Sequence, residues 1–171
     1  MQKTVWYKAP EMIIALSALL ISVVTAVVGI YSAYIDRSYA RAAVWPRIEI
    51  YRSFNNGVFE YGVMNSGNGP ALIQYAHVTY KGEPIQYWNQ IPDIPDFVQS
   101  HLSTRILSSQ NTIIPLSIGT EKAAGFVAVD SDIDIQLCYC SIYEECWLIS
   151  RVNAAETVES CEISPEKSFL Q

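Results

Sequence analysis

Basic residues are scarce beyond residue 52. From residue 53 onward the chain carries five Lys or Arg against fourteen Asp or Glu, and the 171-residue sequence has a formal charge of −6. Nucleic-acid recognition needs a basic face that releases counterions, so the composition argues against DNA or RNA as the main partner. Histidine is scarcer still, with His77 and His101 the only two. Neither stands in a zinc or nucleophile motif, and no Gly-x-Ser-x-Gly elbow occurs. Catalysis needs a constellation of groups and none is displayed, so no enzyme, no metal and no cofactor are expected. A surface hydrolase using His77, His101 and Asp130 is the catalytic alternative. Half of the residues are apolar, which excludes a disordered chain and leaves room for one domain plus an additional element.

Charge is absent altogether from residues 12–35, "MIIALSALLISVVTAVVGIYSAYI". At 1.5 Å rise per residue this run is long enough to cross a hydrocarbon core of about 30 Å, and a transmembrane helix is expected there. Its eleven Leu, Ile or Val between Ile13 and Ile30 contribute on the order of −3 to −6 kcal/mol on an insertion scale. Trp6 and Tyr7 before the run, and Tyr31, Tyr34 and Tyr39 at its far end, suit two interfacial aromatic belts. The run exceeds the apolar region of a signal peptide, and the nearest small-x-small site, Ala40 to Ala42, follows several polar residues.

One face of this helix is small. At about 100° per residue, Ala15, Ala18, Ser22, Thr25, Ala26, Gly29 and Ala33 fall within one arc of roughly 100°. Small-xxx-small pairs let helix backbones approach closely in a bilayer, so this arc is the expected helix–helix interface. The partner is either a second copy or another membrane protein. The arc continues through Asp36, Ala40 and Ala43, which predicts two more helical turns before Pro46 stops the helix. Arg37 and Arg41 in these turns are placed to contact lipid headgroups, and Trp45 to pack at the neck.

From residue 47 the apolar period changes to two. "RIEIY", "GVFEYGVMN", "ALIQYAHVTY", "TRIL", "TIIPLSIG", "IDIQLCYC" and "CWLISRV" read as strands, and "YKGEPIQYW" as a hairpin turning at Lys81-Gly82. Phe59, Tyr61 and Val63 share one face. The segment "NQIPDIPDFVQSHLS" is irregular, with room for one short helix. The expected architecture is an antiparallel β-sandwich, immunoglobulin-like, or a small barrel. The boundaries are an N-terminal tail at 1–11, the membrane helix at 12–35, a juxtamembrane helix and neck at 36–46, the β domain at 47–153 and a polar tail at 154–171.

Within it, "NSGNGPALIQ" has the look of a phosphate loop but lacks a third glycine or a Gly-Lys-Ser/Thr ending, and Pro70 removes an N–H. Asn65, Gly67, Gly69 and Pro70 are therefore read as a turn, with the glycines supplying backbone freedom.

"AAVWPRIEI", "MNSGNGPALI" and "CYCSIYEECW" together resemble a loose group of bacterial membrane-anchored proteins. These have one N-terminal helix, a Trp-Pro neck and an immunoglobulin-like domain with an Asn-x-Gly-x-Gly-Pro-Ala turn. The resemblance spans most of the chain and implies architecture but no activity.

Alternation in residues 130–150 places Ile133, Ile135, Leu137 and Tyr139 inward, and Asp132, Asp134, Gln136, Cys138 and Cys140 outward. A five-residue loop "SIYEE" sets Cys140 opposite Cys146, the preferred disulfide. Cys138 and Cys161 pair if the tail folds back. Four reduced thiols, or a metal held by Cys138, Cys140 and Cys146, are the alternatives, although zinc-knuckle spacing is missing. Asp130, Asp132 and Asp134 lack the glycine and glutamate of a calcium loop and are read as a solvated strand face.

Lys3, Lys8 and the terminal amine nearly balance Arg37, Arg41 and Arg47 across the membrane, with Arg52 tipping the count toward a cytoplasmic β domain. Paired cysteines favour an oxidising compartment. A periplasmic domain on a bacterial inner membrane is preferred, with the cytoplasm as alternative. The expected function is a non-enzymatic, membrane-anchored interaction module. The alternative is a membrane effector whose β domain senses a nucleotide, which requires a concave basic pocket with Arg105, Lys122 and Arg151 as donors.

Overall fold

The structure is a computed structural model that describes residues 10–119 and 123–171. Trp6, Tyr7, Lys3, Lys8 and Lys122, invoked above, lie outside the described residues. The chain divides into two units, 1–42 and 43–171.

The described residues of the first unit form helix α1, Pro10–Ala43, whose last residue belongs to the second unit. Proline opens it, where a missing N–H costs nothing, and Glu11 and Arg41 sit at the ends that favour their charges. It is long and apolar enough to cross a membrane, with a mean hydropathy of 2.7 over its most apolar window. It runs through the predicted extra turns and ends three residues before Pro46.

Among the described residues, the second unit holds ten strands in two antiparallel sheets facing each other, with no closed barrel. One sheet has the order β1 (Ile48–Asn55), β2 (Val58–Asn65), β7 (Thr112–Ile118), β5 (Phe97–Val98). The other runs β10 (Glu156–Val158), β9 (Cys146–Ser150), β8 (Ile133–Cys140), β3 (Ala71–Tyr80), β4 (Glu83–Ile85). Strand β6 (Arg105–Leu107) shares the β4 edge of β3, pairing with Ala71–Ile73 while β4 pairs with Val78–Tyr80.

Alternation explains the register. Phe59, Tyr61 and Val63 of β2 point into the core, as do Ile135, Leu137 and Tyr139 of β8. In β3 the buried set shifts from Ala71 and Ile73 to Ala76 and Val78. A bulge between Ile73 and Tyr75 causes that shift. The β3–β4 hairpin turns at Lys81 and Gly82, both at positive φ (52° and 83°), the geometry that matches strand twist.

Three features depart from the sequence reading. A short helix α2 (Ala123–Val129) stands where no element was expected, and Phe126 meets Phe59 edge-on at 5.0 Å. Seven residues are too few to display a helical period. The irregular segment carries only a 3-10 turn at Trp88–Gln90 and the two-residue β5. Residues 154–171, read as a polar tail, complete the domain. They supply β10, and Phe169 is fully buried with its ring 4.8 Å from that of Trp88. Backbone bonds from Phe169 N to Ala76 O (2.9 Å) and Leu170 N to Gln86 O (2.9 Å) fasten this end.

Candidate functional site

On α1 none of the described residues is buried. Ala15, Ala18, Ser22, Thr25, Ala26, Gly29 and Ala33 are all exposed on it, and a Cβ added at Gly29 meets nothing within 4 Å. The polar members of the face satisfy themselves. Ser22 Oγ donates to Ala18 O (2.8 Å) and Thr25 Oγ1 to Ile21 O (2.7 Å). With the hydroxyls turned onto the helix backbone, what remains for a neighbour is a smooth, narrow surface that suits close packing. Arg37 and Arg41, four residues apart, line a shallow recess with Tyr34 and Ser38.

The glycine loop is a clamp on the neck. Its N–H groups are all spoken for by protein oxygens: Asn65 N by Asn111 O (2.9 Å), Ser66 N by Arg47 O (2.8 Å), and Asn68 N and Gly69 N by Trp45 O (3.0 and 3.3 Å). Gly67 N goes to the Asn65 side chain (3.0 Å). Pro70 has none, so no donor is left for an anion. Asn65 is fully buried and organises the loop. Its Nδ2 donates to Gly69 O (2.8 Å) and Leu107 O (3.1 Å), and its Oδ1 also accepts from Arg47 N (3.1 Å).

The glycines serve a purpose other than the expected one. Neither has a positive φ. A Cβ on Gly67 would overlap the backbone of Trp45 and Arg47, and one on Gly69 the carbonyl of Val44. Close approach, not conformational freedom, excludes a side chain. Trp45 packs at the neck as expected, its ring 5.3 Å from Trp147, which in turn lies 5.6 Å from Tyr139.

Both disulfides form. Cys140 and Cys146 are cross-strand partners with Cα atoms 4.0 Å apart, and Cys138 joins Cys161 at 5.6 Å. The cysteines were expected to point outward, but Cys138, Cys140 and Cys146 are buried. The folded-back C-terminal segment brings Cys161 to their face of β8, and the bridges then cover one another. The Sγ atoms of Cys140, Cys146 and Cys161 lie within 4.8 Å of one another. Bridged sulfurs offer no thiolate to a metal.

Asp130 also corrects the sequence reading. It is 3% exposed rather than on a solvated strand face. Its Oδ1 accepts from Tyr61 Oη (2.6 Å) and Arg151 Nη2 (2.6 Å), and its Oδ2 from Arg52 Nη1. Arg151 Nη1 also caps the carbonyls of Asp130 (2.9 Å) and Ile133 (2.5 Å). The carboxylate thus ties both sheets to the end of α2. Burial, and then donation to this carboxylate, push the Tyr61 hydroxyl far above the ordinary tyrosine range. Alternation hid this role because Asp130 precedes β8 in a 3-10 turn. Asp132 faces Lys81 (3.9 Å), and Asp134 accepts from Gln136 Nε2 (3.4 Å).

Of the donors suggested for a basic pocket, Arg105 and Arg151 are among the described residues and both are engaged elsewhere. Arg151 serves Asp130, and Arg105 Nη1 donates to His101 O (2.6 Å). His77 Nδ1 meets Lys167 O (2.8 Å). A cleft of about 710 Å3 beside α2 is lined by Tyr80, Lys81, Asp93, Ile94 and Phe126 among others, and Lys81 there faces Asp132.

Comparison with protein-family models, curated proteins and solved structures finds no match.

Proposed function

We propose that this protein is a non-enzymatic, membrane-anchored interaction module. Its helix packs laterally on a second copy or a partner membrane protein, and its β domain binds a protein. The observation that carries this reading is the wholly unburied α1 with its continuous small face. An apolar helix none of whose described residues is buried needs lipid or another helix around it, and a line of Ala, Ser, Thr and Gly favours the helix. Two disulfides support an oxidising compartment for the β domain, the periplasm of a bacterial inner-membrane protein. The kinship with bacterial single-pass proteins carrying immunoglobulin-like domains, implied by the neck and glycine turn, belongs to the same reading. Asp130, one of the hydrolase candidates, has both oxygens engaged by Tyr61, Arg52 and Arg151 and serves as a structural anchor in this reading.

The test is assembly. Ser22, Ala26 and Gly29 are exposed on α1, in the unit that does not hold the β domain, so replacing all three by Leu isolates the lateral contact. Wild-type protein purified in mild detergent should carry a stoichiometric partner or a second copy, and the triple variant should lose it. A monomeric wild type without a partner contradicts the reading. Thermal-shift screening with nucleotides addresses the sensor alternative, and no stabilisation is expected.

A further inference from the structure

The two disulfides touch. Sγ of Cys140 lies 3.7 Å from Sγ of Cys161, although each belongs to a different bridge. The contact follows from the fold. Cys138 and Cys140 are two residues apart on β8 and leave the same face, Cys146 opposes Cys140, and the C-terminal segment lays Cys161 across them. Exposure distinguishes the four cysteines. Cys138, Cys140 and Cys146 are 1%, 8% and 6% exposed. Cys161 is half-buried and lines a cleft of about 560 Å3 with Gln74, Tyr75, Glu162 and Ser168.

Thiol–disulfide exchange begins where a thiolate reaches a sulfur, and Cys161 is the one of the four cysteines that is not buried. We propose that the cluster is a stoichiometric exchange site, reduced once by a dithiol that enters at this cleft. A donor thiolate bonds to Cys161 Sγ, the Cys138–Cys161 bond breaks, and Cys138 leaves as a thiolate that takes up a proton. The donor's second thiolate attacks the donor sulfur of the mixed disulfide, closing the donor's own disulfide and releasing Cys161 as a thiolate. Cys161 then bonds to Cys140 Sγ, its neighbour at 3.7 Å, and Cys146 leaves and is protonated. The last step is intramolecular, which favours it over attack by a second donor. The donor loses two electrons and two protons. The protein gains both, and ends with one bridge, Cys140–Cys161, and thiols at Cys138 and Cys146. The C-terminal segment stays tethered to β8 in the product, while the 141–145 hairpin loses its clamp.

The experiment titrates the full-length protein in detergent micelles with dithiothreitol, quenches with acid, alkylates free thiols and maps bridges by peptide mass spectrometry. At one equivalent the main two-electron-reduced species should hold Cys140–Cys161 and carry label on Cys138 and Cys146. A main species that keeps Cys140–Cys146 with label on Cys138 and Cys161 overturns the proposal. Cys138→Ser tests the last step without reductant, since Cys161 then starts as a thiol beside the hairpin bridge. Label on Cys146 is expected, and label on Cys161 instead overturns it. Should that variant fail to fold, the wild-type titration decides alone.

Discussion

Gly69 lies against the carbonyl of Val44 so closely that no β-carbon fits between them. The contact joins the glycine turn to the chain just beyond α1, and it gives "NSGNGP" a purpose other than ligand binding. Gly69→Ala should therefore destabilise the β domain by about 1–3 kcal/mol, the usual cost of overpacking. Urea unfolding of the variant in detergent, followed by tryptophan fluorescence, measures it. Gly82→Ala is the useful contrast, since its cost comes from positive φ in open space.

Asn65 is the hub of the same turn. Truncation to Ala removes both the acceptor for Arg47 N and Gly67 N and the donor to Gly69 O and Leu107 O. Buried groups left without partners cost about 1–3 kcal/mol each, so Asn65→Ala should lower stability by at least about 3 kcal/mol. The same unfolding assay reads this out, with a loss below about 1 kcal/mol as the contrary result.

Tyr61 sets an alkaline limit. Its hydroxyl is held neutral by burial and by its bond to Asp130, so its folded pKa is raised above the unfolded value. A raised pKa contributes stability that is fully present below the unfolded pKa, near pH 10, and is lost as pH climbs above it. Wild-type stability should fall from about pH 10 upward, with Tyr61 contributing a slope approaching about 1.4 kcal/mol per pH unit. Tyr61→Phe should be less stable at pH 8, because Asp130 loses a donor, yet flatter above pH 10. Urea midpoints at pH 8 and pH 11 for both proteins test the sign.

Phe169 tests whether the C-terminal segment belongs to the core. It is wholly buried against Trp88, and Phe169→Ala should cost about 3–5 kcal/mol. A tail outside the domain would tolerate the change, so thermal unfolding of the variant separates the two descriptions.

Much of this was legible because period and turn chemistry are local. The uncharged run from Met12 to Ile35, the two-residue alternation of Phe59, Tyr61 and Val63, and the Lys81-Gly82 turn all carry their signal within a few residues. The opposition of Cys140 and Cys146 was legible for the same reason, since a five-residue loop fixes the register. The burial of Asp130 was not, because it depends on Arg52 and Arg151, 78 and 21 residues away. Phe169 was hidden likewise, one aromatic in a polar segment whose anchor is Trp88. Gly67 and Gly69 were recognised as a turn, but the neck backbone that demands them, residues 44–47, is 20 to 25 residues upstream.

Lateral contact of α1 inside the bilayer is the centre of this account, and a photoreactive diazirine residue placed along the helix measures it most directly. In native membranes, the probe at Ser22 or Ala26 should crosslink to one protein, either a second copy or a partner. At Leu20 or Val24, about half a turn away, it should label lipid alone. Lipid labelling at all four positions, with no protein adduct on the small face, would contradict the account.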